Sequence, residues 1–364
     1  MKKILALVLA LTMVLALGAT AFADEGDMSV AMITDYGDIT DQSFNQTTYE
    51  ACKAYAEANG VDFQYYKPTS DSDADRVAMI EQAIDDGYTV IVMPGFAFAN
   101  AVKETAEYYE DVTFVALDVG AGDLGEDYEV PANLYCATYQ EELCGYMAGY
   151  AAVKLGYTKI GFCGGMAVPA VIRYGYGFVQ GADAAAAEIG AEGVEIKYAY
   201  ANQFYGDADI TAYMDTWYGA GTEIVFACGG GVYTSVAEAA AKVNGKVIGV
   251  DTDQAALIDD QYGEGMTVTS AMKGLGATVN TLLAAVQDGL FDEFGGKIDT
   301  LGLVSETPED NYVQLGTTQF ADGFTEEDYN ALVAAMYNGD ITVSSDTETE
   351  PEVAIAVDYQ GNIK

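Results

Sequence analysis

An α/β protein with two doubly wound parallel-sheet lobes is the fold this sequence predicts, on three observations. Short β-branched runs alternate with longer amphipathic ones from Met28 onward. The alternation occurs twice, as two separate series. At roughly 100 to 200 residues per domain, a chain of 364 residues with 51% apolar content has material for two packed cores. In the first series, strands are predicted at residues 29–34, 61–66, 89–93 and 112–117, with helices at about 42–58, 74–86 and 99–109. These make three successive βα units before a loop containing Pro131. A helix at 141–154 bridges to the second series, whose strands are 159–163, 194–200, 223–228 and 246–250. Residues 267–271 and a helix at 275–288 then recross to the first lobe. The expected division is 28–138 plus about 271–305 for the N-terminal lobe, and 139–270 plus about 306–343 for the C-terminal lobe. Several crossings between two lobes make a hinged clamp. Residues 344–364 read as an acidic connection and tail, and the Thr-rich stretch 344–351 as a solvated segment rather than a site.

Composition narrows the chemistry. With 57 Asp or Glu against 15 Lys or Arg, the net charge is −42, a surface that repels nucleic acid. No histidine is present, which removes Ser-His and Cys-His nucleophiles and imidazole metal ligands. Lys2 and Lys3, an apolar run at 4–17 and the small-residue site Ala21-Phe22-Ala23 read as a signal peptide cleaved after Ala23, with an uncleaved membrane anchor as the alternative. An exported, extracytoplasmic protein of net charge −44 is expected, since the leader carries two lysines and no acid. No cysteine precedes Cys52, so direct lipid anchoring is not supported. Cys52, Cys136, Cys144, Cys163 and Cys228 lack metal-site spacing and read as small buried residues; export leaves a Cys136–Cys144 bridge conceivable.

In open α/β sheets ligands bind beyond the carboxyl ends of the strands, so the residues just after each strand are the informative ones. Here they are Asp35-Tyr36-Gly37-Asp38-Ile39-Thr40-Asp41-Gln42-Ser43-Phe44-Asn45-Gln46, then Pro94-Gly95-Phe96-Ala97-Phe98, Asp118, Gly164-Gly165, Gly229-Gly230-Gly231 and Asp251-Thr252-Asp253-Gln254. Taken singly, Asp41 and Ser43 read as helix caps, Phe44 as core, and the glycines as tight turns. Neither a phosphate-loop motif nor an adjacent base appears, which disfavours phosphate.

In this order, and with Glu141 leading through Gly145 and Gly149, Gly177-Phe178, Gly181-Ala182, Ser270 and Lys273, these segments resemble the basic membrane protein, or purine nucleoside receptor, family of ABC-transporter substrate-binding proteins. The resemblance covers nearly the whole mature chain. It implies a type I periplasmic-binding-protein fold, no cofactor, a purine nucleoside between the lobes, an ABC permease in the cytoplasmic membrane as partner, and a monomeric receptor. Carried over residue by residue, it implies that Phe44 and Phe204 stack on the two faces of the base. Asn45 and Asp118 would recognise the base edge, and Asp251 and Lys273, with backbone at Gly229, would hold the ribose. Asp41 would order the first loop or touch the ligand. The chemistry of these residue types agrees: aromatic faces suit a flat neutral ring, and an ionised carboxylate can accept from two vicinal hydroxyls. The plainer role for Lys273 is to neutralise Asp251 or Asp253, for Arg173 a salt bridge, and for Trp217 packing. Three other functions compete: a sugar receptor of the same fold, an aspartate-dependent hydrolase built on Asp251 and Asp253, and an acidic surface protein.

Overall fold

The computed structural model describes residues 28–125 and 127–364, so the export signal lies outside the described residues. The first sheet contains β1 (Ser29–Ile33), β2 (Asp62–Tyr66), β3 (Val90–Pro94), β4 (Thr113–Leu117), β5 (Leu134–Tyr139) and β11 (Lys297–Leu301), in the order β11-β5-β4-β3-β1-β2. Every pairing in it is parallel. The helices α1 (Phe44–Asn59), α2 (Asp73–Asp85), α3 (Ala99–Thr105) and the short α4 (Ala121–Leu124) connect its early strands. Its central strands β3 and β4 are buried along their length save for the half-buried Thr113, as helices on both faces require, and this is why they read as apolar runs.

The second sheet orders β12 (Val313–Leu315), β10 (Thr267–Lys273), β9 (Lys246–Asp251), β8 (Ile224–Cys228), β6 (Lys159–Gly164), β7 (Glu195–Tyr200) and β13 (Ala356–Asn362) side by side. Only the β10–β12 pairing is antiparallel. Its helices are α5 (Glu141–Lys154), α6 (Pro169–Ile189), α7 (Ala208–Gly219), α8 (Tyr233–Ala241) and α9 (Ala255–Tyr262), while α10 (Leu275–Gln287) packs on α1 in the first lobe and α11 (Glu326–Tyr337) follows β12. The chain passes between the lobes from β5 to α5, from β10 to α10, and from β11 to β12. Three strands of polypeptide therefore form the hinge.

Helices α5 and α6 approach one another so closely that a Cβ built at Gly145, Gly149 or Gly181 would stand 2.0 Å from a backbone oxygen of the other helix. The glycines spaced along both helices make that contact possible, and it fixes α6 beneath the second sheet. All five cysteines are buried and free, so Cys136 and Cys144 are not bridged.

Four strands, β5, β11, β12 and β13, have no counterpart in the sequence reading. β5 follows the Pro131 loop, and β13 occupies residues read as tail. The latter runs parallel to β7 from Ala356↔Glu195 to Asn362↔Tyr200 and supplies the edge of the second sheet.

Candidate functional site

Asp41, Phe44, Asn45, Asp118, Phe204, Gly229, Asp251 and Lys273, from both lobes and the hinge, all line one cavity of about 570 Å³ beyond the carboxyl ends of the strands. That volume lies in the range of pockets that enclose a small organic molecule.

The first wall is built by the loop after β1. Ser43 occupies the N-cap position of α1, but its side chain does not cap the helix. The Asp41 carboxylate does so instead, accepting from the backbone N–H groups of Ser43 (2.9 Å), Asn45 (2.9 Å) and Gln46 (3.0 Å), and from Asn45 Nδ2 (3.1 Å). Burial pushes the Asp41 pKa above the usual carboxylate range, against the pull of these bonds. Asp41 therefore orders the loop, and its hold on Nδ2 leaves Asn45 Oδ1 as a buried acceptor with no partner. From the opposite lobe, the turn after β7 carries Phe204 to the cavity. Gly165 permits this placement: a Cβ there would lie 2.4 Å from the phenyl ring.

Charge concentrates at the hinge. Lys273, the last residue of β10, is buried and reaches Asp118 Oδ2 at 2.8 Å and Glu141 Oε1 at 3.1 Å. Arg173 Nε holds the other oxygen of Glu141 at 2.6 Å. The Lys273 ammonium also stands 5.1 Å from the centroid of Phe44, 5.2 Å from Tyr139 and 5.7 Å from Tyr174. Burial opposes its charge, yet Asp118, Glu141 and Asp251 hold its pKa above the ordinary lysine value. Burial likewise drives Glu141 upward, but Lys273 and Arg173 keep it below the usual range. Asp118 is pushed up to about 6, chiefly by burial, with Lys273 pulling the other way. Its Oδ1 is a second buried acceptor without a partner.

Asp251 sits at the end of β9, and burial raises its pKa. Its Oδ2 accepts from Ser43 Oγ, across the cleft, at 2.6 Å. Gln254 Nε2 donates to Gln42 O at 2.9 Å and Tyr36 Oη to Met166 Sδ at 3.4 Å, so the lobes touch on more than one side of the cavity.

The chain matches the family described as ABC transporter substrate-binding protein, PnrA-like, over residues 28–341. It belongs to this family. Over 339 residues it is 30% identical to the ABC transporter nucleoside-binding protein BmpA of Lactococcus lactis subsp. cremoris, an alignment spanning 88% of this chain and 90% of that one. Basic membrane protein B of Borreliella afzelii is 28% identical over 295 residues, covering 76% of this chain and 78% of its relative. Among solved structures, an ABC transporter solute-binding protein from Aeropyrum pernix K1 superposes with a TM-score of 0.67 at 22% identity, covering 86% of this chain and 87% of that one. The fold is thus the type I periplasmic-binding-protein fold, and the chain is an ABC-transporter substrate-binding protein of this PnrA-like family.

Two plainer expectations change. Lys273 is paired with Asp118 and Glu141 rather than with Asp251 or Asp253. Asp253 lies outside the cavity lining, where its carboxylate accepts from the backbone N–H (3.0 Å) and hydroxyl of Thr317. Of the two acids, only Asp251 faces the cavity. Arg173 makes the expected salt bridge and Trp217 is buried, donating to Gln360 Oε1 at 3.1 Å. The stretch 344–351, read from sequence as a solvated segment rather than a site, instead sends Thr347 and Glu348 into the cavity lining, and Asp35 and Tyr174, given no binding role from sequence, line it too. Asp35 stood in the first strand-end segment but was assigned no role there. Thr347 and Glu348 carried no such signal, because they follow no strand into a helix.

Proposed function

We propose that this protein is an extracytoplasmic receptor that closes on a purine nucleoside and delivers it to an ABC permease. The observation that carries the reading is the pair of buried acceptors without partners, Asn45 Oδ1 and Asp118 Oδ1, in a cavity that also contains Phe44, Phe204 and Asp251. An unpaired buried acceptor costs about 1–3 kcal/mol, so a guest that donates N–H groups from a flat ring gains by filling both positions. A nucleobase edge has such donors and its faces suit phenyl rings, each stack contributing about 1–3 kcal/mol. The free oxygen of Asp251 is suited to ribose hydroxyls. The Lactococcus relative, named a nucleoside-binding protein, agrees with this choice. The family match supports delivery to a permease and the leader pattern supports export with cleavage, and a monomeric receptor is part of the same proposal. Among the described residues no helix is long and apolar enough to cross a membrane.

Calorimetric titration of the mature chain with adenosine, guanosine, inosine, cytidine and uridine tests the reading. Saturation by a purine nucleoside, returned chemically intact, is expected. Saturation by free ribose or another sugar, with no nucleoside binding, would replace it with a sugar receptor.

A further inference from the structure

The family match ends at residue 341, and the residues beyond it reach back to the cavity. Ser344 is fastened to α6: its N–H donates to Gln180 Oε1 at 2.9 Å, and Gln180 Nε2 donates to its carbonyl at 3.0 Å. A second anchor follows, where Asp183 Oδ1 accepts from the N–H groups of Ala354 (2.8 Å) and Ile355 (3.1 Å). β13 then locks the chain onto β7. Between the two anchors the segment forms a strap, and Thr347 and Glu348 line the cavity.

The strap carries Asp346, Glu348, Glu350 and Glu352 and no basic residue. It adds to the carboxylates of Asp35, Asp41, Asp118, Asp123 and Asp251 already lining the cavity. The cations among the lining residues, Arg173 and Lys273, are both held in ion pairs. Arg173 engages Glu141 through Nε alone, so its terminal nitrogens stay available, but an anionic guest would meet the six carboxylates of Asp35, Asp41, Asp118, Asp123, Asp251 and Glu348 against two cations already in ion pairs.

We propose that the strap is the outer wall of the ligand cavity and that Glu348 is a specificity-determining residue, selecting an uncharged nucleoside over its phosphorylated form. This rests on the nucleoside reading and extends it to residues outside the family match. A unit charge within roughly 10 Å of a phosphate, in water-like to moderately polar surroundings, changes affinity by about twofold to tenfold, and salt weakens the effect because Glu348 is exposed.

The test takes whichever of the five ribonucleosides binds best, together with its 5′-monophosphate, and measures both affinities by calorimetry at low and high salt. Three forms of the full mature chain are compared: wild type, Glu348→Gln, and a variant with residues 346–350 replaced by an equally long Gly-Ser segment, which keeps both anchors and β13. The expected result is that Glu348→Gln narrows the nucleoside-to-monophosphate affinity ratio at least threefold at low salt and by less at high salt. The Gly-Ser variant is expected to narrow it further and to weaken nucleoside binding about threefold to tenfold. A wild type that binds the nucleoside, with a ratio unchanged in both variants or no monophosphate binding in any form, overturns the strap proposal alone. A wild type that binds no nucleoside overturns the functional reading and this proposal together.

Discussion

Asp118 and Asp251 adopt φ values of +59° and +64° at the ends of β4 and β9, a left-handed conformation that costs a residue with a side chain about 1–3 kcal/mol. Both line the cavity, so the strain sits where carboxylates turn out of the sheet toward a guest. Asp118 has a further consequence. Its pKa is raised to about 6, chiefly by burial, so the folded state holds this proton more tightly than the unfolded chain. Its contribution to stability therefore falls as pH rises from the ordinary value of 3.8 toward about 6. Nucleoside binding needs the ionised acceptor, so affinity should be level well above pH 6, be roughly halved at about pH 6, and approach a tenfold loss per pH unit only a unit or more below it. Titration calorimetry across pH 5 to 8 reads this; an affinity that rises on acidification contradicts it. Phe44→Ala and Asp251→Ala should each weaken binding more than tenfold with the circular dichroism spectrum intact, through a lost stacking face and a lost hydroxyl acceptor. Unchanged affinity in both removes the proposed pocket. Strand-end position made these acids legible in the sequence. Their pairing was not, because Lys273 meets Asp118 and Glu141 only through the crossing of three chain segments at the hinge.

The α/β alternation was readable where strands are buried on both faces, as in β3 and β4, because burial demands apolar runs. It failed at β13, whose residues Ala356–Asn362 include Asp358, Gln360, Gly361 and Asn362. That segment becomes a strand only by using the free edge of β7, information held 161 residues away in the register Ala356↔Glu195. The α5–α6 contact is the opposite case. Its glycines were visible as a pattern, but their purpose needs the distance of 2.0 Å that a Cβ would leave. Gly149→Ala should therefore destabilise the fold by about 1–3 kcal/mol or more, since backbone on both helices must move. Denaturant unfolding measures it; a midpoint within error of wild type would show that the helices can separate freely. Removing the helix cap in Asp41→Ala should lower stability by about 0.5–2 kcal/mol and also weaken ligand binding, because the loop that carries Phe44 and Asn45 loses its anchor.

At the scale of the whole molecule, the lobes are joined by three chain passages and touch across the cavity through Ser43–Asp251 and Gln42–Gln254. A guest held by both lobes stabilises this closed arrangement. At a free concentration one hundred times its Kd, the ligand adds about 2.7 kcal/mol to folded-state stability, which a thermal scan registers as a raised Tm. A crystal structure of the mature chain grown with a saturating purine nucleoside shows directly whether the guest sits between the lobes. The base is expected between Phe44 and Phe204, its N–H edge against Asn45 and Asp118, and its ribose against Asp251. A nucleoside bound outside the interlobe cavity, or a cavity occupied by a sugar alone, would contradict this placement.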